Sequence, residues 1–218
     1  MTYPNLLSEL AEYKAQLVAV SKTKPKEAIM DLYLKGQRIF GENRVQELAE
    51  KQPKLPADIE WHMIGHLQRN KVKYIASFVK LIHSVDNLKL LKEINKQALK
   101  HDRTIPILLQ FHIAKETTKS GFSLLEVKEV LKDKSFKELK NIEIQGVMGM
   151  ATFTTDLTLV RSEFSTLKSI FDHLKTANFS EQSSFHTISM GMSGDYKIAL
   201  EEGANMVRIG SLLFGARN

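Results

Sequence analysis

Short runs of β-branched and other apolar residues alternate with longer amphipathic stretches along the whole chain. The run Leu17-Val18-Ala19-Val20-Ser21 has the composition of a strand. Pro25 follows at a first helical position, with Ala28, Ile29, Leu32 and Tyr33 on one stripe and Gly36 as the stop. Arg38-Ile39-Phe40-Gly41-Glu42, residues 60–65 and residues 80–85 begin three further units, each followed by helix-like sequence. Asn87 is placed to cap a helix with Leu88, Leu91, Ile94 and Ala98 on one face, which leads into a fifth strand, Ile105 to His112. Ser123-Leu124-Leu125-Glu126 is a capping-box pattern, and the run from Ile142 to Met148 makes the sixth strand. After Asp156 the apolar positions Val160, Phe164, Leu167, Phe171 and Leu174 step by four, three, four and three, which predicts a helix. Residues 185–190 and 206–210 supply strands seven and eight, joined through a short helix from Tyr196 to Glu202 and a turn at Gly203.

Strict alternation of strand and helix calls for parallel strands, and eight such units predict an α/β fold, a single closed (β/α)8 barrel of the TIM type. An open doubly wound sheet is the runner-up. No Gly-, Ser- or Pro-rich linker divides the chain, so residues 1–218 are expected to form one domain. Leu6, Leu10 and Tyr13 are spaced for one face of an extra N-terminal helix over residues 1–16, expected to close one barrel end.

In such a barrel, function gathers at the C-terminal ends of the strands. Alternation puts Val18, Val20 and Lys22 on one face, so Lys22 points with the apolar set. Partial desolvation there disfavours the ammonium form and leaves an amine suited to attack a carbonyl, although a lysine at a strand end is usually a surface charge. Ser193-Gly194-Asp195 after strand seven and Gly210-Ser211 after strand eight offer backbone N–H groups to an anion such as phosphate; helix capping by Ser193 or Asp195 is the alternative. Arg208 lies between Val207 and Ile209, so its guanidinium needs a buried partner: a carboxylate such as Glu42 or Glu60, or an acceptor on a ligand. Asn43 and His66 add polar groups at the same barrel end, as pocket residues or as a cap and a structural histidine. Met148, Met150, Met190 and Met192 are placed to pack and to wall a pocket.

Composition removes several chemistries. The 218 residues contain no cysteine, which excludes disulfides, thiolate metal sites and a cysteine nucleophile. His62 and His66 are four apart, but on a strand that spacing does not bring them to one zinc ion. No GxGxxG, GxxxxGK[ST] or GxSxG pattern occurs. Apolar runs such as Ile105-Pro106-Ile107-Leu108-Leu109 are too short to span a membrane, and Met1-Thr2-Tyr3-Pro4-Asn5 does not open a secretory signal, so a cytoplasmic location is expected. The net charge of +6 raises nucleic-acid binding as an alternative, but lysines interleaved with acids along helices describe a solvated surface. Neither a nucleic-acid nor a membrane partner is expected.

These residues resemble, over the whole chain, the pyridoxal-phosphate homeostasis proteins, which are similar to the barrel domain of alanine racemase. The resemblance rests on Val18-Ala19-Val20-Ser21-Lys22-Thr23-Lys24-Pro25, on Phe40-Gly41-Glu42-Asn43 with Val45-Gln46-Glu47, and on Trp61-His62 with Ile64-Gly65-His66-Leu67-Gln68 and Asn70-Lys71. Residues 146–150 and 189–195, then Val207-Arg208-Ile209-Gly210 with Phe214-Gly215, complete it. It implies that the cofactor, pyridoxal 5′-phosphate, is held as a Schiff base on Lys22. It further implies that Arg208 faces the pyridine nitrogen, that Ser193, Gly210 and Ser211 hold the phosphate, and that Asn43, His66 and Met148 line the pocket. The role implied is a monomeric carrier and regulator in vitamin B6 and amino-acid homeostasis, without robust turnover, with pyridoxal-phosphate-dependent apoenzymes as candidate recipients. Arg44 stands where the family usually has tyrosine and Met63 where it has phenylalanine, and the N-terminal helix is shorter than usual. A small amino-acid racemase using the same Schiff base is the alternative. Alanine racemase takes its opposing tyrosine from a second domain of a partner chain, no such domain is expected here, and Tyr196 and His66 are the only substitutes.

Overall fold

The computed structural model describes residues 2–116 and 120–215. Eight parallel strands close on themselves in sequence order: β1 (Gln16–Val20), β2 (Ile39–Glu42), β3 (Glu60–Met63), β4 (Leu81–Val85), β5 (Ile105–Phe111), β6 (Ile142–Gly149), β7 (Thr187–Ser189) and β8 (Met206–Ile209). The register Gln16↔Met206 to Ala19↔Ile209 joins β1 to β8 and closes the barrel, which excludes the open sheet. Strand boundaries fall within about two residues of those expected from the pattern.

The crossovers carry α2 (Lys26–Leu34), α3 (Val45–Lys51), α4 (Leu88–Leu99), α5 (Leu124–Lys132), α6 (Lys134–Lys137), α7 (Leu157–Ala177) and α8 (Tyr196–Glu201), and α9 (Ser211–Phe214) follows β8. Their ends obey the side-chain signals in the sequence. Asn87 accepts the Leu90 N–H at 2.8 Å, Ser123 and Glu126 form the reciprocal capping box, and Asp156 accepts the N–H groups of Thr158 and Leu159. The third crossover differs from expectation: in place of an α-helix it holds a 3₁₀ segment, Arg69–Tyr74. Only Val72 is buried in that segment, so it lacks the apolar stripe that would hold a longer helix on the barrel.

An extra helix, α1 (Tyr3–Glu12), precedes β1 and buries Leu6 and Leu10. Tyr13 does not join them; it stands past the helix end and is exposed. The Tyr3 hydroxyl donates to Gln37 Oε1 at 3.0 Å and the Tyr196 hydroxyl to Glu9 Oε2 at 2.9 Å, so α1 ties the α2–β2 connection to α8.

Alternation along the strands divides the core in two. Leu17, Ala19, Phe40, Trp61, Met63, Ile82, Val207 and Ile209 face the helices, in one large apolar cluster. Val18, Val20, Ile64, Leu81, Leu108, Met148 and Met206 form a small cluster of their own, in the opposite strand phase and thus inside the barrel. The same inward phase places Lys22, His62, His83, Ser189 and Arg208. Gly146, at φ +153, sits where the β5–β6 register shifts, and a Cβ there would lie 1.8 Å from the Thr187 carbonyl oxygen. Only glycine lets β6 bend this closely against β7.

Candidate functional site

A cavity of about 510 Å³ opens at the C-terminal ends of the strands. Seven of the eight residues singled out in the sequence line it: Lys22, Asn43, His66, Ser193, Arg208, Gly210 and Ser211. Met148 does not. It is fully buried in the inner apolar cluster, and Met150, two residues on in the same strand phase, meets the cavity instead. Met192 also lines the cavity, whereas Met190 is buried among the outer core. Arg44 is exposed at the start of α3 and Met63 is fully buried, so neither departure from the family pattern reaches the cavity.

Lys22 follows β1 in a turn closed by the Lys24 N–H donating to the Ser21 carbonyl at 3.0 Å, and it is half-buried. Lys24 lines the same cavity but donates through Nζ to the Phe214 carbonyl at 3.0 Å. Asn43 caps no helix; Arg44 occupies that position. A Cβ on Gly65 would come within 2.4 Å of the Asn43 carbonyl oxygen, so the absence of a side chain lets the β3 end pass directly under the β2 end. His66 stands at the rim with its Nδ1 3.7 Å from Asp86 Oδ2.

The two turns suited to an anion are joined to each other. Ser193 Oγ accepts the Gly210 N–H at 3.2 Å, which leaves the serine proton available to an acceptor in the cavity. Asp195 makes no side-chain cap to α8; its Oδ1 accepts the Met192 N–H at 2.5 Å and thereby shapes the turn. Among the described residues the N–H groups of Ser193, Gly194 and Ser211 have no backbone acceptor. A cavity that gathers those donors and two lysines suits a ligand with a phosphate at one end.

Arg208 is 4% exposed, and neither Glu42 nor Glu60 pairs with it. Its guanidinium donates to Ser189 Oγ at 2.6 Å and to the Gly149 carbonyl at 3.0 Å. Burial lowers its pKa to about 10, against a pull from Asp195, and it remains a cation at neutral pH. Behind it runs a buried chain: Ser189 Oγ lies 3.0 Å from His83 Nδ1, and His83 Nε2 lies 3.0 Å from His62 Nδ1. Because arginine can only donate, the Ser189 hydroxyl turns its proton toward His83 Nδ1, which places the His83 proton on Nε2 and the His62 proton on its own Nε2. Every N–H then points away from Arg208, and the guanidinium is held in one orientation.

Burial keeps both imidazoles neutral, with His62 lowered to about 3 and His83 pushed well below its ordinary value, helped by the Arg208 charge. Each therefore gains a proton on unfolding below the ordinary histidine pKa of about 6.5. Stability from these groups is complete above that pH and is lost as pH falls toward 3. The expected slope is up to about 1.4 kcal/mol per pH unit for each histidine. Urea unfolding between pH 6.5 and 5, where most carboxylates are still ionised, should show this loss, and a flat profile would contradict neutral buried histidines.

Tyr196 is not at the cavity. Its ring is buried, its hydroxyl is bound to Glu9, and burial and that carboxylate raise its pKa to about 12. Gln110, Ser120 and Phe153 line the cavity without having been singled out in the sequence. Gln110 shares the inward phase of Leu108, so alternation along β5 was a usable signal. Phe153 is 96% exposed on a loop and carried none.

No described helix is long and apolar enough to cross a membrane. Residues 5–218 match the family model of the alanine racemase N-terminal domain. The pyridoxal phosphate homeostasis protein of Aquifex aeolicus is 40% identical over 204 residues, 93% of this chain and 87% of the relative. The solved structure of PipY from Synechococcus elongatus with pyridoxal phosphate bound superposes with a TM-score of 0.85 at 33% identity, covering 97% of this chain and 99% of that one. An alanine racemase from Bartonella henselae, 16% identical with a TM-score of 0.67, shares the fold; the match covers 96% of this chain and 57% of the racemase.

Proposed function

The chain belongs to the alanine racemase N-terminal domain family and, within it, to the pyridoxal phosphate homeostasis proteins, and on that premise we propose that it binds pyridoxal 5′-phosphate as a carrier and regulator of the cofactor. The observation that carries this reading is the convergence of Lys22, Arg208 and the linked Ser193–Gly210 turns on one cavity. Lys22 Nζ joins the aldehyde carbon in a Schiff base, with release of one water. Ser193, Gly194 and Ser211 donate to the phosphate, Gly210 supports Ser193 through its N–H rather than donating itself, Arg208 faces the pyridine nitrogen, and Asn43, His66 and Met150 wall the ring. The barrel acts as one binding unit, and pyridoxal-phosphate-dependent apoenzymes are its recipients.

Pyridoxal phosphate bound to an amino acid can stabilise a carbanion when its ring nitrogen is protonated. A fixed guanidinium beside that nitrogen disfavours the protonation. Racemisation also needs two acid–base groups on opposite faces of the substrate carbon. Lys22 supplies one, Tyr196 is committed to Glu9, and His66 is the remaining candidate at the rim. The protein should therefore retain stoichiometric pyridoxal phosphate through gel filtration yet show no α-proton exchange with alanine or serine in deuterium oxide at an enzymatic rate of about 1 s⁻¹. Exchange at that rate, abolished by Lys22→Ala, would replace the carrier reading with a racemase; loss of the cofactor on the column would remove both.

A further inference from the structure

We propose that Glu42, Glu47 and Lys51 form a clamp on the two residues flanking Lys22, and that these positioning residues aim its amine into the cavity. The inference rests on the reading that Lys22 is the residue that bonds pyridoxal phosphate. None of the three clamp residues lines the cavity; they lie behind the β1 turn, on β2 and α3.

Five hydrogen bonds build the clamp. Lys51 Nζ donates to Glu42 Oε1 at 2.7 Å, to Glu47 Oε1 at 2.6 Å and to the Ser21 carbonyl at 2.8 Å. The Ser21 hydroxyl donates to the same Glu42 oxygen at 2.7 Å, and the Thr23 N–H donates to Glu47 Oε1 at 2.6 Å. Ser21 is thus held by both its carbonyl and its side chain, and Thr23 by its amide, with Lys22 between them. The Glu42 side chain is 0% exposed and that of Lys51 11%, so water competes weakly for the bonds between them and to Ser21, while the Thr23–Glu47 bond is exposed.

Two features mark support for the turn beyond its own Lys24 N–H to Ser21 carbonyl bond. Thr23 has φ +63, a left-handed conformation that β-branched residues avoid and that the third position of such a turn normally gives to glycine or asparagine. Its amide is fixed there by Glu47. Glu42 also keeps one oxygen, Oε2, buried without a hydrogen-bond partner, so its place is not explained by satisfying the carboxylate itself. Its other oxygen serves Ser21 and Lys51 together. Preorganisation of this kind raises the rate at which a nucleophile meets a bound carbonyl and leaves the binding of the rest of the ligand unchanged.

The test compares two ligands on the 218-residue chain. Pyridoxal 5′-phosphate can bond to Lys22; pyridoxine 5′-phosphate has the same ring and phosphate but an alcohol in place of the aldehyde. Glu47→Ala should slow the appearance of the visible band on mixing with pyridoxal phosphate by at least about tenfold. Its Kd for pyridoxine phosphate should stay within about twofold of wild type, since the ring and phosphate contacts are untouched. Glu47→Gln keeps an acceptor for the Thr23 N–H and should recover most of the rate. Glu47→Asp keeps the charge but draws the oxygen back by one methylene, so it should resemble Glu47→Ala and serves in its place if the alanine variant does not fold. Equal losses for both ligands, or an unchanged rate in Glu47→Ala and Glu47→Asp, would overturn the clamp. A wild-type protein that binds pyridoxal phosphate with no covalent bond would overturn the reading of Lys22 first, and the clamp with it.

Discussion

Lys22→Ala will lose the visible absorption band of the pyridoxal-phosphate-loaded protein and will bind the cofactor at least about 100-fold more weakly, on the order of 3 kcal/mol. On the proposed reading the covalent bond is the one contact that holds the aldehyde end, because the other cavity groups are assigned to the phosphate, the ring nitrogen and the ring walls. Inward alternation on β1 carries Lys22 past Val18 and Val20 to the cavity, while Lys24 is engaged with the Phe214 carbonyl. Fold stability should change little, since Lys22 is half-buried at the cavity and outside both apolar clusters. Spectral titration of the two proteins checks this; an unchanged band in Lys22→Ala would move the bond to another amine.

The second large effect concerns the phosphate. Unphosphorylated pyridoxal should bind about 10² to 10⁴ times more weakly than its phosphate. Hydrogen bonds to a charged group contribute about 1.5–3 kcal/mol each, and two of them suffice for that ratio. The proposed donors are the hydroxyl of Ser193, polarised by the Gly210 N–H it accepts, and the N–H groups of Gly194 and Ser211. Ser193→Ala removes one such bond and should cost about ten- to a hundredfold in affinity for pyridoxal phosphate, with little change for pyridoxal. Equal dissociation constants for the two ligands would show that these turns do not hold the phosphate.

Most of the barrel was legible because its signals are local. Period-two strands, the Asn87, Ser123 and Asp156 caps and the α7 stripe each act within a few residues of where they appear. The third crossover was less so: the sequence after strand three is helix-like, but the number of buried positions in the tertiary structure decides between α and 3₁₀. At the site, alternation correctly carried Lys22 and Arg208 inward, yet the partner of Arg208 came from β7 and β6 rather than from a carboxylate. Sequence spacing holds no record of such contacts between distant strands. Met148 missed the cavity by one inward step, since the pattern fixes the face of a strand and not the depth along it. The clamp escaped notice because Glu42 was weighed only as a partner of Arg208, and nothing in the spacing shows that β2 and α3 fold it with Glu47 and Lys51 behind the Ser21–Lys24 turn.

The central claim is that Lys22 is the amine that bonds pyridoxal phosphate, and borohydride reduction of the loaded protein followed by peptide mapping tests it most directly. Reduction makes the bond permanent without altering which nitrogen holds it. The account predicts a single reduced pyridoxyl group on Lys22 in the peptide spanning residues 16–24; the same group on Lys24, or on a lysine outside the cavity, would contradict it.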